Sequence, residues 1–339
     1  MIKVLVIDDS ATVRQVLGRE LSKFPDFKIV GVAPDPFVAR ELIITQKPHV
    51  LTLDIEMPRM DGLTFLRKIM KYHPIPTIIV SSLTSTGSRM ALDALEYGAF
   101  DVITKPGAAY SVKEVVSHIA AQIRSASVAD VGKLKQRRPR SQKKTLSLAK
   151  TTQKVVFIGG STGGTVALES ILTQLPANSP GIAAVIHMPP GFTKSFADRL
   201  NSMCAVSVSE ARHGDQIVTG KVLIAPGNYH MQVIRRGAGY YVTLNQKERL
   251  FYQRPCVDLL FRSAAKYVGA NCVTVMLTGM GKDGGAAMAE CMNAGAQTIV
   301  QDEKSSVVWG MPGEAVRNGV ESRIVPLELI PKKILDAVS

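Results

Sequence analysis

The sequence predicts two α/β domains in tandem, each built on a mostly parallel sheet covered by helices. Three observations predict it. Short runs that are apolar on both faces alternate with stretches whose apolar residues recur at three- and four-residue spacing, as buried parallel strands and their covering helices require. Over residues 126–153 this alternation stops, Lys, Arg, Ser and Gln take over, and then the pattern restarts. A chain of 339 residues is long enough for two domains that each bury a core.

In the first third the strands are KVLVI (3–7), KIVGV (28–32), VLTL (50–53), TIIV (77–80) and DVIT (101–104). Each leads into a helical pattern: ATVRQVLGREL, PFVARELIITQ, LTFLRKIMKY, SRMALDALEY and finally SVKEVVSHIAAQI. Five βα units imply a doubly wound, five-stranded parallel sheet over residues 1–125. The basic linker, 126–153, contains KLKQRRPRSQKK (133–144). The second domain, 154–339, opens with KVVFIGG, a helix over about 164–174, the strand GIAAVIH and a helix following PPGFTKS. Between 205 and 245, SVSEA, KVLIAPG, HMQVI and YYVTL read as short antiparallel pieces, with turns at Pro226-Gly227-Asn228 and Gly237-Ala238-Gly239. A helix near 257–269, the strand CVTVMLTG, another helix and the strand QTIV return to α/β alternation. The second domain is therefore an α/β, mostly parallel sheet with an antiparallel hairpin insert.

A hydrophobic fraction of 46% and a charged fraction of 20% exclude a disordered or collagen-like chain. No apolar run reaches the roughly 18 residues that span a bilayer, and MIKVLVIDDS lacks the layout of a secretory leader. A cytoplasmic location without membrane insertion is expected. Cys204, Cys256, Cys272 and Cys291 show no CxxC spacing and read as reduced core thiols. The net charge of +13 points to an acidic partner or to nucleic acid. Much of it sits in the linker, without zinc-finger spacing or interleaved aromatics, which argues against nucleic acid. The linker itself reads equally as a solvated, self-repelling spacer or as a docking segment.

Functional residues of parallel α/β sheets collect at the carboxyl ends of the strands. Asp8 and Asp9 follow the first strand, Asp54 the third, Ser81 the fourth and Lys105 the fifth. Three carboxylates gathered at one edge raise one another's pKa unless a hard cation sits among them, and Mg2+ suits such oxygen ligands. Lys105 and the Ser81 hydroxyl are then placed to bind a phosphoryl group beside the metal. Asp9 and Ser10 also fit a plain helix cap for the helix from Ala11. Taken together, IDDS, LDIEMPRMDG, VSS and TKPG resemble the receiver domain of bacterial response regulators over residues 1 to about 124. The resemblance implies that Asp54 accepts a phosphoryl group from a histidine kinase. It also implies that Asp8, Asp9 and Asp54 hold Mg2+ with the Glu56 backbone carbonyl, and that Lys105 precedes Pro106 through a cis peptide. Val102 departs from the pattern, standing where this family commonly has an aromatic residue.

In the second domain, GGSTG (159–163) fits Gly-x-Ser-x-Gly, a tight strand-to-helix turn that exposes a serine hydroxyl. It lacks the Lys-Ser/Thr ending of a P-loop, and a glycine turn with an ordinary serine fits the pattern alone equally well. GMGKDG (279–284) does match Gly-x-Gly-x-x-Gly, with Asp302 at the end of the following strand, as a dinucleotide fingerprint would have it. Against that reading, Asp283 puts a negative charge where a pyrophosphate would bind, which favours a catalytic carboxylate. A serine nucleophile needs a base, and the base an orienting acid. His187 ends the strand AAVIH and Asp283 follows CVTVM, so both are expected at the edge where Ser161 lies. His213, in ARHGD, is the second choice of base. The order Ser, His, Asp does not match that of α/β-hydrolases.

The stretches IGGSTGGT, IHMPPGFTKSFADRLN, VLIAPGNYHM, PCVDLLF, MLTGMGKDGG and SSVVWGMPGEAV resemble the catalytic domain of chemotaxis receptor methylesterases. This resemblance implies a phosphorylation-regulated serine hydrolase that removes methyl groups from glutamyl γ-methyl esters on methyl-accepting chemotaxis receptors and deamidates glutamines. The implied triad is Ser161, His187 and Asp283, with Thr162 and the Met280 N–H at the oxyanion and no cofactor for the ester reaction. The implied partners are those receptors and the histidine kinase of the chemotaxis system. Two joined domains suggest control, with the receiver covering the Ser161 cleft until Asp54 is phosphorylated. A competing class is a response regulator whose second half binds a nucleotide or DNA.

Overall fold

The computed structural model describes residues 1–82, 84–105, 112–132, 146, 154–320 and 323–339. The chain divides into two units, Met1–Arg138 and Pro139–Ser339.

In the first unit, strands β1 (Ile2–Ile7), β2 (Phe27–Ala33), β3 (Val50–Leu53), β4 (Thr77–Ser81) and β5 (Asp101–Thr104) form one sheet in the order β2-β1-β3-β4-β5. Every neighbouring pair is parallel. Val4 to Ile7, Leu51, Leu53, Ile78 and Ile79 are buried on both faces, which is why these strands read as continuous apolar runs. Helices α1 (Ala11–Leu21), α2 (Pro36–Gln46), α3 (Gly62–Tyr72), α4 (Ser85–Glu96) and α5 (Val112–Ser127) follow the strands in turn. The first four start at side-chain caps supplied by the residue just before them, Ser10, Asp35, Asp61 and Thr84. α5 runs two residues into the stretch read as linker, because Ala126 continues the buried row of Ala120 and Ile123 with a side chain too small to mark the period.

The second unit contains β6 (Val155–Gly160), α6 (Gly164–Leu172), β7 (Ile182–Ile186), α7 (Phe192–Met203), β8 (Ser207–Glu210), β9 (Lys221–Ile224), β10 (His230–Arg236) and β11 (Gly239–Asn245). There follow α8 (Val257–Tyr267), β12 (Cys272–Met276), α9 (Gly285–Asn293), β13 (Gln297–Gln301), α10 (Met311–Arg317), β14 (Arg323–Val325) and α11 (Ile330–Val338). Seven strands form a sheet in the order β14-β13-β12-β6-β7-β9-β8. All its neighbouring pairs are parallel. The expectation of antiparallel pieces across 205–245 holds only for the β10-β11 hairpin. β8 and β9 instead extend the parallel sheet. Strand direction leaves no mark in a four-residue strand, so SVSEA and KVLI could not be assigned a direction from the pattern.

Strand order reverses at β1 in the first sheet and at β6 in the second. Such a reversal opens a crevice beyond the carboxyl ends of the strands. Asp8, Asp54, Ser161, His187 and Asp283 follow these strands and their neighbours, and Ser81 and Lys105 lie at the same ends of β4 and β5.

Candidate phosphoacceptor and active sites

In the first unit the parallel register brings Asp8, Asp54, Ser81 and Lys105 to one sheet edge. Carboxylate oxygens of Asp8, Asp9 and Asp54 lie within 4.8 Å of one another, a hard-oxygen set that suits a divalent cation such as Mg2+. Lys105 Nζ stands 2.8 Å from Asp54 Oδ2 and 2.9 Å from Asp8 Oδ2. Burial is the largest influence on Asp54, and with the Asp8 charge it outweighs Lys105, pushing the carboxyl up to about 6. Burial alone would lower the Lys105 pKa, yet the two carboxylates hold it above the usual range. The Ser81 hydroxyl is buried and has no hydrogen-bond partner among the described residues.

Ser10 caps α1, its Oγ accepting from Val13 N–H at 3.4 Å, so the capping reading holds for Ser10 while the exposed Asp9 joins the acidic cluster. The Glu56 N–H donates to Asp54 Oδ1 at 3.3 Å. Its carboxylate accepts from Ser82 Oγ at 2.6 Å and Thr84 Oγ1 at 3.2 Å, tying the loop after β3 to the loop after β4. Sequence reasoning used only the Glu56 backbone and missed this clamp. Val102 is buried in β5. Pro106 lies outside the described residues, and the expected cis peptide with it.

In the second unit, β6 lies between β7 and β12. Ser161 follows β6, His187 follows β7 and Asp283 lies in the loop after β12, so all three reach one edge. Backbone pairing continues past the strand ends: His187 N–H donates to the Gly160 carbonyl at 3.2 Å, and Ser161 N–H to the Thr278 carbonyl at 3.0 Å. Gly279 packs so closely on Ser161 that a Cβ there would sit 2.9 Å from the serine Cβ and 2.4 Å from Met311 Sδ. Gly163 starts α6 at φ +79°, a backbone state glycine adopts without steric cost.

His187 Nε2 lies 2.8 Å from Asp283 Oδ2. Asp283, 2% exposed, also accepts from Val257 N–H (2.8 Å), Asp258 N–H (2.8 Å) and the Cys256 thiol (3.0 Å). Burial, the largest single influence, would raise its pKa, but His187 and the thiol and N–H donors hold the carboxyl below the ordinary range. The N-terminal turn of α8 thus helps keep a buried carboxylate ionised. With Nε2 turned to Asp283, Nδ1 is the ring nitrogen left for proton transfer. Among the described residues no hydrogen bond joins Ser161 Oγ to His187.

The N–H groups of Ser161 and Gly279 are committed to the Thr278 and Val308 carbonyls, so neither is aimed at an oxyanion. Thr162 is buried and its carbonyl accepts from Thr278 Oγ1 at 3.1 Å, which sets the Thr162 backbone beside the loop that carries Met280. Two residues were missed from the sequence. Asp258, buried in the first turn of α8, accepts from Gly284 N–H at 2.9 Å and so holds the start of α9, while Asp283 holds the start of α8. Cys256 donates its thiol to Asp283. The alternatives are engaged elsewhere: His213 Nδ1 accepts from Leu244 N–H at 3.2 Å on the hairpin, and Asp302 caps its own turn at Ser305.

The fold and the two sites define a two-domain response regulator, a receiver unit with an acidic sheet edge joined to an α/β unit whose sheet edge gathers serine, histidine and aspartate. Residues 4–117 match the response regulator receiver domain, and residues 156–334 match the CheB methylesterase family. The chain is 52% identical over 340 residues to protein-glutamate methylesterase/protein-glutamine glutaminase 2 of Syntrophus aciditrophicus, covering 99% of each. It is 46% identical to the protein of that activity name from Bdellovibrio bacteriovorus, covering 98% of this chain and 96% of that one. The crystal structure of the Thermotoga maritima CheB methylesterase catalytic domain superimposes with a TM-score of 0.53 at 38% identity, over 54% of this chain and 97% of that one. The chain belongs to the CheB methylesterase family.

Proposed function

We propose that this protein hydrolyses glutamyl γ-methyl esters on chemotaxis receptors and deamidates glutamines at such sites, under control of phosphorylation at Asp54. The observation that carries the reading is the His187–Asp283 pair at 2.8 Å, anchored on the N-terminus of α8 at the sheet edge where Ser161 lies. Ser161 Oγ attacks the ester carbonyl carbon as its proton passes to His187 Nδ1. Asp283 keeps hydrogen on Nε2 and stabilises the imidazolium. The Met280 N–H, with Thr162 beside it, stabilises the tetrahedral oxyanion, an effect of about 3 to 4 kcal/mol per donor. His187 returns the proton to the departing methoxide, methanol leaves, and water attacks the acyl-enzyme to free Ser161 and a glutamate carboxylate. A glutamine side chain follows the same course and releases ammonia.

In the receiver, Asp8, Asp9, Asp54 and the Glu56 carbonyl are the residues that would hold Mg2+. The ion, when bound, offsets negative charge on the phosphoryl group in transfer from the chemotaxis histidine kinase. Asp54 accepts that group, and Lys105 and the unpartnered Ser81 hydroxyl bind its oxygens. The test is methanol release from a methylated receptor fragment, with and without a phosphodonor. Ser161→Ala should release none above background, and near-normal release by that variant would remove Ser161 from the chemistry.

A further inference from the structure

The turn Leu250 to Tyr252 has no part in the chemistry above, yet it is an unusual surface. Tyr252 is 93% exposed, and Leu250 and Phe251 beside it are exposed as well. Phe251 and Tyr252 both hold positive φ, 51° and 63°. Bulky side chains rarely adopt that conformation, and it persists where the surroundings enforce it. Here Leu250 and Gln253 exchange backbone hydrogen bonds of 3.2 and 2.7 Å. Arg254 donates to the carbonyls of Gln246 (2.8 Å) and Lys247 (2.9 Å) and to Asn228 Oδ1 (2.6 Å). The aromatic tip is therefore a pinned projection.

The projection is tied to the active site from two sides. Its C-terminal strand of chain runs from Arg254 to Cys256, whose thiol touches Asp283. Lys282, next to Asp283, places Nζ 5.8 Å from the Phe251 ring centre. The charge around the tip is mostly positive: Lys247, Arg249, Arg254 and Lys282 against Glu248. Glu314, whose charge also reaches Lys282, is already paired with Arg317 at 2.7 Å.

We propose that this turn is a docking lip for the receptor segment that carries the glutamyl sites, with Tyr252 and Phe251 packing on its apolar side chains and Lys247, Arg249 and Lys282 meeting its glutamates. The inference rests on the proposed function and names how that site selects its substrate. The charge of the occupant follows from the reaction, because every ester or amide hydrolysed leaves a carboxylate, so a segment bearing such sites becomes acidic as they are processed. Exposed aromatics on a backbone already held in place are suited to anchor such a partner, since little backbone freedom is lost on binding.

The experiment uses the full chain with Mg2+ and acetyl phosphate, acting on a purified receptor cytoplasmic fragment carrying glutamyl methyl esters. Tyr252→Asn removes the ring and keeps a residue at home at positive φ, so the turn survives. The expected result is a KM for the fragment raised about fivefold or more with kcat within about twofold. Added salt should also raise the wild-type KM, and more weakly in Lys282→Gln. Hydrolysis by Tyr252→Asn at unaltered KM overturns the lip alone. Absence of methanol from the wild-type chain overturns the proposed function and the lip together. Concentration-dependent dimerisation lost in Tyr252→Asn, with KM unchanged, would assign the tip to a second copy of this chain and also overturn the proposal.

Discussion

Asp283 shows how much one carboxylate can be asked to do. It accepts from an imidazole, a thiol and two backbone N–H groups while almost wholly buried. An amide at this position keeps the shape but turns an N–H2 group toward at least one of those donors, and it no longer favours hydrogen on His187 Nε2. Asp283→Asn is therefore expected to lower kcat by about three to four orders of magnitude. It should also destabilise the fold by roughly 2 to 4 kcal/mol, through a buried unpaired donor and the lost charge at the α8 N-terminus. Methanol release and a denaturant melt measure the two effects, and a normal kcat would show that the acid does not orient the base. That Ser161, His187 and Asp283 would share an edge was legible in the sequence, because each follows an apolar run that reads as a strand, and ends of parallel strands share an edge. Cys256 and Asp258 were not. Their partners lie more than twenty residues away, and a cysteine before a helical pattern or an acid in a first turn has an ordinary local explanation.

The helices of the two units begin in different ways, and the difference decides what the sequence reveals. α1 to α4 are capped by the residue immediately before them, as Asp35 accepts from Phe37 and Val38 N–H at 2.8 and 3.0 Å; the starts of α1 and α2 match the sequence reading, while α3 and α4 begin one and three residues before the stretches read as helical. α8 and α9 have no local side-chain cap. α8 is capped by Asp283, from the approach to α9, and α9 by Asp258, from the first turn of α8, a crossed arrangement that fixes the Asp283 loop and that no local pattern announces. α6, which opens at the Ser161 turn, carries a testable titration. Glu169 is buried in it, and desolvation pushes its carboxyl up to about 7. Arg199 Nε is 3.6 Å away, too far for the hydrogen bond that would offset burial. Because the folded-state value lies above the unfolded one, the cost of ionising Glu169 is absent below its ordinary pKa of 4.5, grows as pH rises toward 7 and is fully present above it. A shift of this size corresponds to roughly 3 kcal/mol. Glu169→Gln should flatten the fall in stability between these pH values and melt higher than the wild type at pH 8. Parallel melting curves across that window would refute the assignment.

Joining a phosphoacceptor to an enzyme in one chain makes sense as control, because the same effector then responds to a change in the population of its active form. Family membership and the receiver edge supply both halves of such a device. In the receiver Lys105 bridges Asp8 and Asp54. On the proposed function, a phosphoryl group on Asp54 would add acceptor oxygens and negative charge and so draw Lys105 and Ser81 to new partners. If the receiver restrains the effector, phosphorylation can at most remove that restraint, so the unrestrained effector sets a ceiling on rate. A fragment beginning at Lys154 is accordingly expected to release methanol at least as fast as the phosphorylated full chain, and faster than the unphosphorylated one. Asp54→Asn in the full chain should stay at the unphosphorylated rate when acetyl phosphate is added. Methanol release from one methylated receptor fragment, measured for all four species, decides the matter. A fragment slower than the unphosphorylated chain would mean that the receiver contributes to catalysis and does not hold it back. A phosphorylated chain faster than the fragment would mean that phosphorylation creates activity beyond the mere lifting of inhibition.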